Sequence, residues 1–186
     1  MTLLVAGLLV FFAAHTFTMF RGVRQQVVDK IGTLPYRGLY SVVSLTGFIM
    51  IVMGYGDAPK VLLWDTPLWL RYTAMILMLP VFVCMAAVYL PGHIKATLKN
   101  PMLIGLKTWA FCHLLLNGDL ASALLFGAFL TWAVIDLIAV KRSGRSSVVE
   151  NPKPVFDIAA VAIGLGIYAL IYFFAHPYLS GVALVA

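Results

Sequence analysis

Residues 100–119, NPMLIGLKTWAFCHLLLNGD, decide the fold. Asn100 followed by Pro101 is a helix-opening pair, and Asn117-Gly118-Asp119 is a turn. Between them the chain is apolar for about 25 Å at 1.5 Å per helical residue, most of a hydrocarbon layer of about 30 Å. His113 lies inside that run. An ionisable side chain in a membrane helix is costly there and faces the bundle interior, where a proton path, a ligand or a metal compensates it. Gly105, Trp109, His113 and Asn117 fall four apart and read as one stripe on one helix face.

The rest of the chain has the same character. Hydrophobic residues make up 62% of its 186 residues and charged residues 11%, against about 25% charged in soluble domains. The apolar runs are continuous, which excludes the alternating pattern of a membrane β-barrel. The expectation is an all-α, polytopic integral membrane protein with six transmembrane helices in a single bundle, residues 1–186 forming one domain. The spans are expected at about 3–20, 38–55, 68–90, 101–117, 120–140 and 155–175. Met1 to Phe20 lacks a positive leading region and a cleavage site, so it reads as a retained first span.

Between the first two spans, RGVRQQVVDKIG places Val23, Val27, Val28 and Ile31 on one face and reads as an interfacial helix ended by Gly32. Ser41, Ser44 and Gly47 in span two, Ala123 with Gly127 in span five, and Ala160 with Gly164 in span six are small residues suited to close helix contact. Trp64 and Trp69 mark a membrane surface, and Thr66 before Pro67 reads as the cap of span three, with a kink expected at Pro80.

The formal charge of +6 sits mainly in loops. Arg21, Arg24, Lys30 and Arg37 lie in loop one, Lys95 and Lys99 in loop three, and Lys141, Arg142, Arg145 and Lys153 in loop five. The even side holds Lys60 and Arg71. This bias predicts cytoplasmic odd loops, both termini on the opposite side of the membrane, and membrane lipids rather than nucleic acid as the partner.

Four histidines are candidates for chemistry. His93, in a basic loop, and His176, before Pro177, read as interfacial. His15 and His113 lie within spans, where the plain reading is a hydrogen bond to a neighbouring carbonyl or hydroxyl. A sharper one is axial ligation of a haem iron from two helices, with Gly105 and the neighbouring aromatics suiting a flat macrocycle. A proton relay or a quinone site uses the same residue types. Zinc fits less well, because no third or fourth ligand clusters with them. Counted from the basic side, His15 is about six residues deep and His113 about fourteen, an offset on the order of 10 Å. Cys84 and Cys112 read as buried packing residues. Lys107 and Asp136, also within spans, read as a snorkelling cation, an ion pair or a contact to a haem propionate.

The segments HTFTMFRG (15–22), YRGLYSVVSLTG (36–47), WDTPLWLRY (64–72) and PGHIK (91–95), with the 100–119 stretch, resemble the NnrU family of bacterial membrane proteins. The resemblance covers the chain to about Arg142. It implies a role linked to nitric oxide and nitrite reductase activity in denitrification, with a reductase or electron-transfer partner. The family is similar to the zeta-carotene isomerase, a membrane haem b enzyme. That likeness implies His15 and His113 as the iron ligands of a bis-histidine haem b; Gly105, Lys107, Trp109 and Asn117, on the same helix as His113, are the further candidates for cofactor contact. Relatives read HPM or HPQ where this chain has Asn100-Pro101-Met102, so asparagine replaces one family histidine. The expected function is a haem b redox, sensing or maturation component. The alternatives are a redox-gated isomerase of a polyene or other lipid-soluble substrate, and a cofactor-free assembly partner of a membrane reductase.

Overall fold

A computed structural model describes residues 1–144 and 146–180. The described chain is mostly helical, and among the described residues the β-structure is one isolated bridge between Leu62 and Asp119. Its helices are α1 (Thr2–Phe17), α2 (Arg21–Ile31), α3 (Thr33–Gly56), α4 (Leu68–Ala87), α5 (His93–Leu98), α6 (Pro101–Leu116), α7 (Leu120–Arg142) and α8 (Pro154–Leu170). A π-helical turn, Ile171–Ala175, leads from α8 into α9 (His176–Ser180).

Two seams set the packing. Along α1 and α3 the backbones touch: an added Cβ would stand 2.7 Å from the Ile51 nitrogen at Gly7 and 2.7 Å from the Phe11 nitrogen at Gly47. At Gly54 it would fall on the Leu4 backbone. Small residues allow this approach where lipid supplies little hydrophobic drive between helices. Leu4, Leu8 and Ile51 are buried in this seam, in one cluster with Ala121, Leu125 and Phe126 of α7. On the other side α8 packs on α4, with Gly164 against the backbone of Val83. Ala160 and Gly164 thus act as expected. Ala123 and Gly127 do not: nothing lies within 4 Å of a Cβ added at Gly127, and both residues line an open groove.

Four of the six expected spans have the length and hydropathy a crossing needs. Among the described residues, Thr33–Gly56, Leu68–Ala87, Leu120–Arg142 and Pro154–Tyr178 are long and apolar enough to cross a membrane. At 16 residues each, α1 and α6 fall short. Joining α1 to α2 gives a fifth candidate, but the two meet at 88°. The first run stops at Phe17; the hydroxyl of Thr18, the C-cap, donates to the His15 carbonyl (2.7 Å), and the chain then turns into α2. The protein is therefore an all-helical membrane protein with four to five candidate spans. Gly32 ends α2 as expected, at φ 89°, a conformation glycine adopts without strain. Pro80 lies within α4, whose helix continues through it.

One cap serves another element than the sequence implied, and a second holds its place by a different bond. The N-cap of α4 is Pro67, and the Thr66 hydroxyl donates instead to the carbonyls of Leu115 and Leu116 (both 3.1 Å), closing the C-terminus of α6. Asn100 occupies the N-cap of α6 without a side-chain cap bond. Its amide donates to the Ser146 hydroxyl at 3.2 Å.

Loop three is also tied down. The carboxylate of Asp157, in the first turn of α8, accepts from the His93 amide (2.9 Å), the His93 Nδ1 (2.8 Å) and the Ile94 amide (2.8 Å). A Cβ on Gly92 would collide with that carboxylate, so the PGH sequence leaves room for an acid supplied 64 residues later. His93 is a structural partner of α8, not a free interfacial residue.

Candidate functional site

His15 and His113 stand in the last turns of α1 and α6, and the two short helices build them alike. The Nδ1 of His15 lies 2.7 Å from the Phe11 carbonyl, and that of His113 2.9 Å from the Trp109 carbonyl. A carbonyl only accepts, so Nδ1 carries the proton in both rings and the neutral imidazole keeps its lone pair on Nε2. The backbone carbonyl of each histidine is held by the residue that ends its helix. Thr18 bonds that of His15, and the Asn117 side chain (2.7 Å) and amide (3.0 Å) bond that of His113.

Asn117 is therefore a positioning residue, whose side chain closes the helix under His113. The loop preceding α4 closes the same end, with the amides of Leu63 (2.6 Å) and Trp64 (3.1 Å) donating to the Gly118 carbonyl. A Cβ on Gly118 would fall on the Trp64 carbonyl. Asp119 accepts from the Ser122 amide (3.1 Å) and hydroxyl (2.6 Å), capping α7. Burial opposes ionisation of Asp119, yet the bonds from Ser122, with Lys60 nearby, hold its pKa below the ordinary carboxylate value.

Aromatic rings surround both imidazoles. His15 stacks on Phe11 with centroids 4.0 Å apart, and meets Tyr40 of α3 and Trp132 of α7, each at 5.6 Å. His113 meets Trp109 at 5.0 Å and Phe126 of α7 at 4.9 Å. Phe129 joins the two groups, 5.7 Å from Phe11 and 5.7 Å from Trp109. The α7 partners, Phe126 and Trp132, are separated by about 9 Å along the helix. The imidazoles thus contact α7 at successive levels, with Phe129 between these levels.

The remaining residues singled out in the sequence separate. A Cβ on Gly105 would meet Cys84, Val81 and Met85 of α4 at 3.3 to 3.4 Å, so Gly105 faces that helix and not the histidine cluster. Its four-residue spacing misled because each such step turns the stripe by about 40°. Lys107 is half-buried on α6, turned about 120° around the helix from His113. His176 stands apart in sequence at the start of α9.

The donor set suits a haem iron. Each Nδ1 is already bonded to a carbonyl, the second hydrogen bond that orients a metal-bound imidazole and fixes its tautomer, and each Nε2 retains a lone pair. Two orphaned polar atoms mark the same neighbourhood: Trp132 Nε1, in the ring against His15, and Ser44 Oγ, one turn beyond Tyr40, are buried without a hydrogen-bond partner. Trp132 also borders the groove of about 470 Å³ on α7, which is lined by Phe12, Ala123, Gly127, Thr131 and other residues.

A family model described as NnrU protein matches residues 3–184. The chain belongs to the NnrU family. The match runs beyond Arg142 and through α8, so the last apolar helix is part of the NnrU unit. Neither the curated proteins nor the solved structures include a match.

Proposed function

We propose that this NnrU protein binds haem b through Nε2 of His15 and His113 and serves nitrogen-oxide respiration as a redox, sensing or maturation component. The observation that carries the reading is the shared construction of the two histidines: both sit at a helix end, donate Nδ1–H to the carbonyl four residues back, and have that end closed by Thr18 or Asn117. Bound haem held by two histidines supplies one-electron chemistry, and it takes a small diatomic ligand only when one histidine leaves the iron. The protein's part is to fix the tautomer, orient both rings and surround them with Phe11, Trp109, Phe126, Phe129 and Trp132, which keep water out.

The wider frame of the proposal is six crossings of the bacterial inner membrane, α1 and α6 being short crossings, with both termini periplasmic as the loop charges favour. A membrane reductase or electron-transfer protein is the proposed partner. The apolar groove beside Trp132 favours a second reading, a redox-gated isomerase acting on a polyene, whose long hydrocarbon body suits a lining almost free of polar surface.

The test is haem b content by pyridine haemochrome, with absorption spectra of the oxidised and dithionite-reduced protein purified in detergent after haem-replete expression. A low-spin haem b spectrum at one haem per chain is expected. Absence of a Soret band overturns the proposal and leaves the cofactor-free assembly role. Conversion of a supplied polyene only by the reduced protein favours the isomerase reading.

A further inference from the structure

A second polar site lies where α1, α2 and α3 meet. Its cavity, about 530 Å³, is lined by Arg21, Arg24 and Arg37 together with Tyr36, Tyr40 and Ser41. Arginine guanidinium groups match the oxygens of phosphate in paired hydrogen bonds. Among the described residues no carboxylate forms an ion pair with these arginines: the ion pair there is His93 with Asp157, and Asp29 accepts from Gln25. Arg24 lies over the Tyr36 ring, 5.3 Å from its centroid, which fixes that cation at the cavity.

Two further observations point to an anion. Arg21 and Arg24 belong to the first turn of α2, an 11-residue helix with no acid in that turn and no side-chain bond from its N-cap, Phe20. The positive end of the helix dipole is therefore uncompensated at the cavity. Independently, Tyr36 is only 7% exposed, and its hydroxyl is buried with no hydrogen-bond partner. Such a group costs stability unless something bonds it, and an oxyanion accepts what a tyrosine hydroxyl donates.

We infer that this cavity binds a phosphate-type oxyanion. Its place at the 88° bend between α1 and the amphipathic α2 puts it at the level of lipid headgroups. Exposed Phe20 and Val23 alongside offer contact to acyl chains. The phosphate has two sources, an anionic phospholipid headgroup or free inorganic phosphate. Three arginines with no acid to meet a choline favour phosphatidylglycerol over phosphatidylcholine.

The experiment uses the full chain in neutral detergent. Native mass spectrometry reads retention of phosphatidylglycerol against phosphatidylcholine, and calorimetry reads binding of inorganic phosphate. Both are repeated on Arg24→Gln/Arg37→Gln and on Tyr36→Phe, with circular dichroism to confirm folding. Each arginine is expected to account for about a fivefold change in affinity, as a basic residue near an anionic surface contributes about 1 kcal/mol. Tyr36→Phe keeps the ring and removes only the orphaned hydroxyl, so it is expected to weaken binding several-fold without lowering the melting temperature. Selective phosphatidylglycerol retention lost in the variants supports the site with a lipid source. Phosphate binding lost in the variants, without lipid selectivity, supports it with a free-anion source. Equal retention of both lipids by wild type and variants, with no phosphate binding, overturns the inference.

Discussion

His15 and His113 make the same hydrogen bond in unlike surroundings. His15 stands at a corner where α1 and α3 touch through Gly7, Gly47 and Gly54, with a ring from α3 and another from α7 against it. His113 stands where α6 meets α7, closed from the outside by the loop that carries Trp64 and Thr66. One site is held by backbone contact between helices, the other by capping from a loop. The difference teaches that the imidazole geometry is local, set by a carbonyl four residues back, while its position in the bundle comes from distant residues that differ at each site.

Glycine substitutions break that comparison most strongly. Gly54→Ala is expected to force α1 from α3, and Gly118→Ala to push the Trp64 carbonyl from its turn, because in both the obstacle is backbone. Each should cost about 3 kcal/mol, the upper part of the range for overpacking. Gly127→Ala, which meets open space, should leave stability unchanged. Thermal unfolding in detergent compares the three.

Removing the helix-end caps separates the two sites with a smaller effect. Thr18→Val deletes the hydroxyl on the His15 carbonyl, and Asn117→Ala the amide on that of His113. Each should cost about 1 kcal/mol. Imidazole resonances measured by NMR should move for His15 alone in the first variant and for His113 alone in the second. Movement of both in either variant would show that the histidines form one rigid unit.

The smallest effect is that of pH at the His113 end. Since the pKa of folded Asp119 lies below its unfolded value, its contribution is full above the ordinary carboxylate range and is lost as pH falls through the lower, folded value. Melting temperature should therefore decline on acidification, and Asp119→Asn should flatten that decline. An unchanged slope in the variant would assign the acid sensitivity elsewhere.

The helical membrane character, the Gly32 break and the Ala160 and Gly164 seam were legible because each follows from composition, local spacing or a single residue's conformation. What was not legible depends on residues distant in sequence. Thr66 reads as a cap for its own helix until the C-terminus of α6 is seen beneath it. His93 reads as a loop residue until Asp157 approaches through the space left by Gly92. Gly105 reads as part of the histidine stripe until helical drift carries it to α4. The end of the first helix was not legible for a related reason: hydropathy continues past Phe17, where α1 stops, so the apolar run is longer than the helix inside it.

The most direct test of the haem proposal is the spin state and haem content of His15→Ala and His113→Ala beside wild type, read from oxidised absorption spectra and electron paramagnetic resonance. Bis-histidine ligation predicts a low-spin wild type, and in each variant either high-spin haem or its loss. A low-spin spectrum at full occupancy in either variant would contradict it, because the substituted histidine would then not be a ligand.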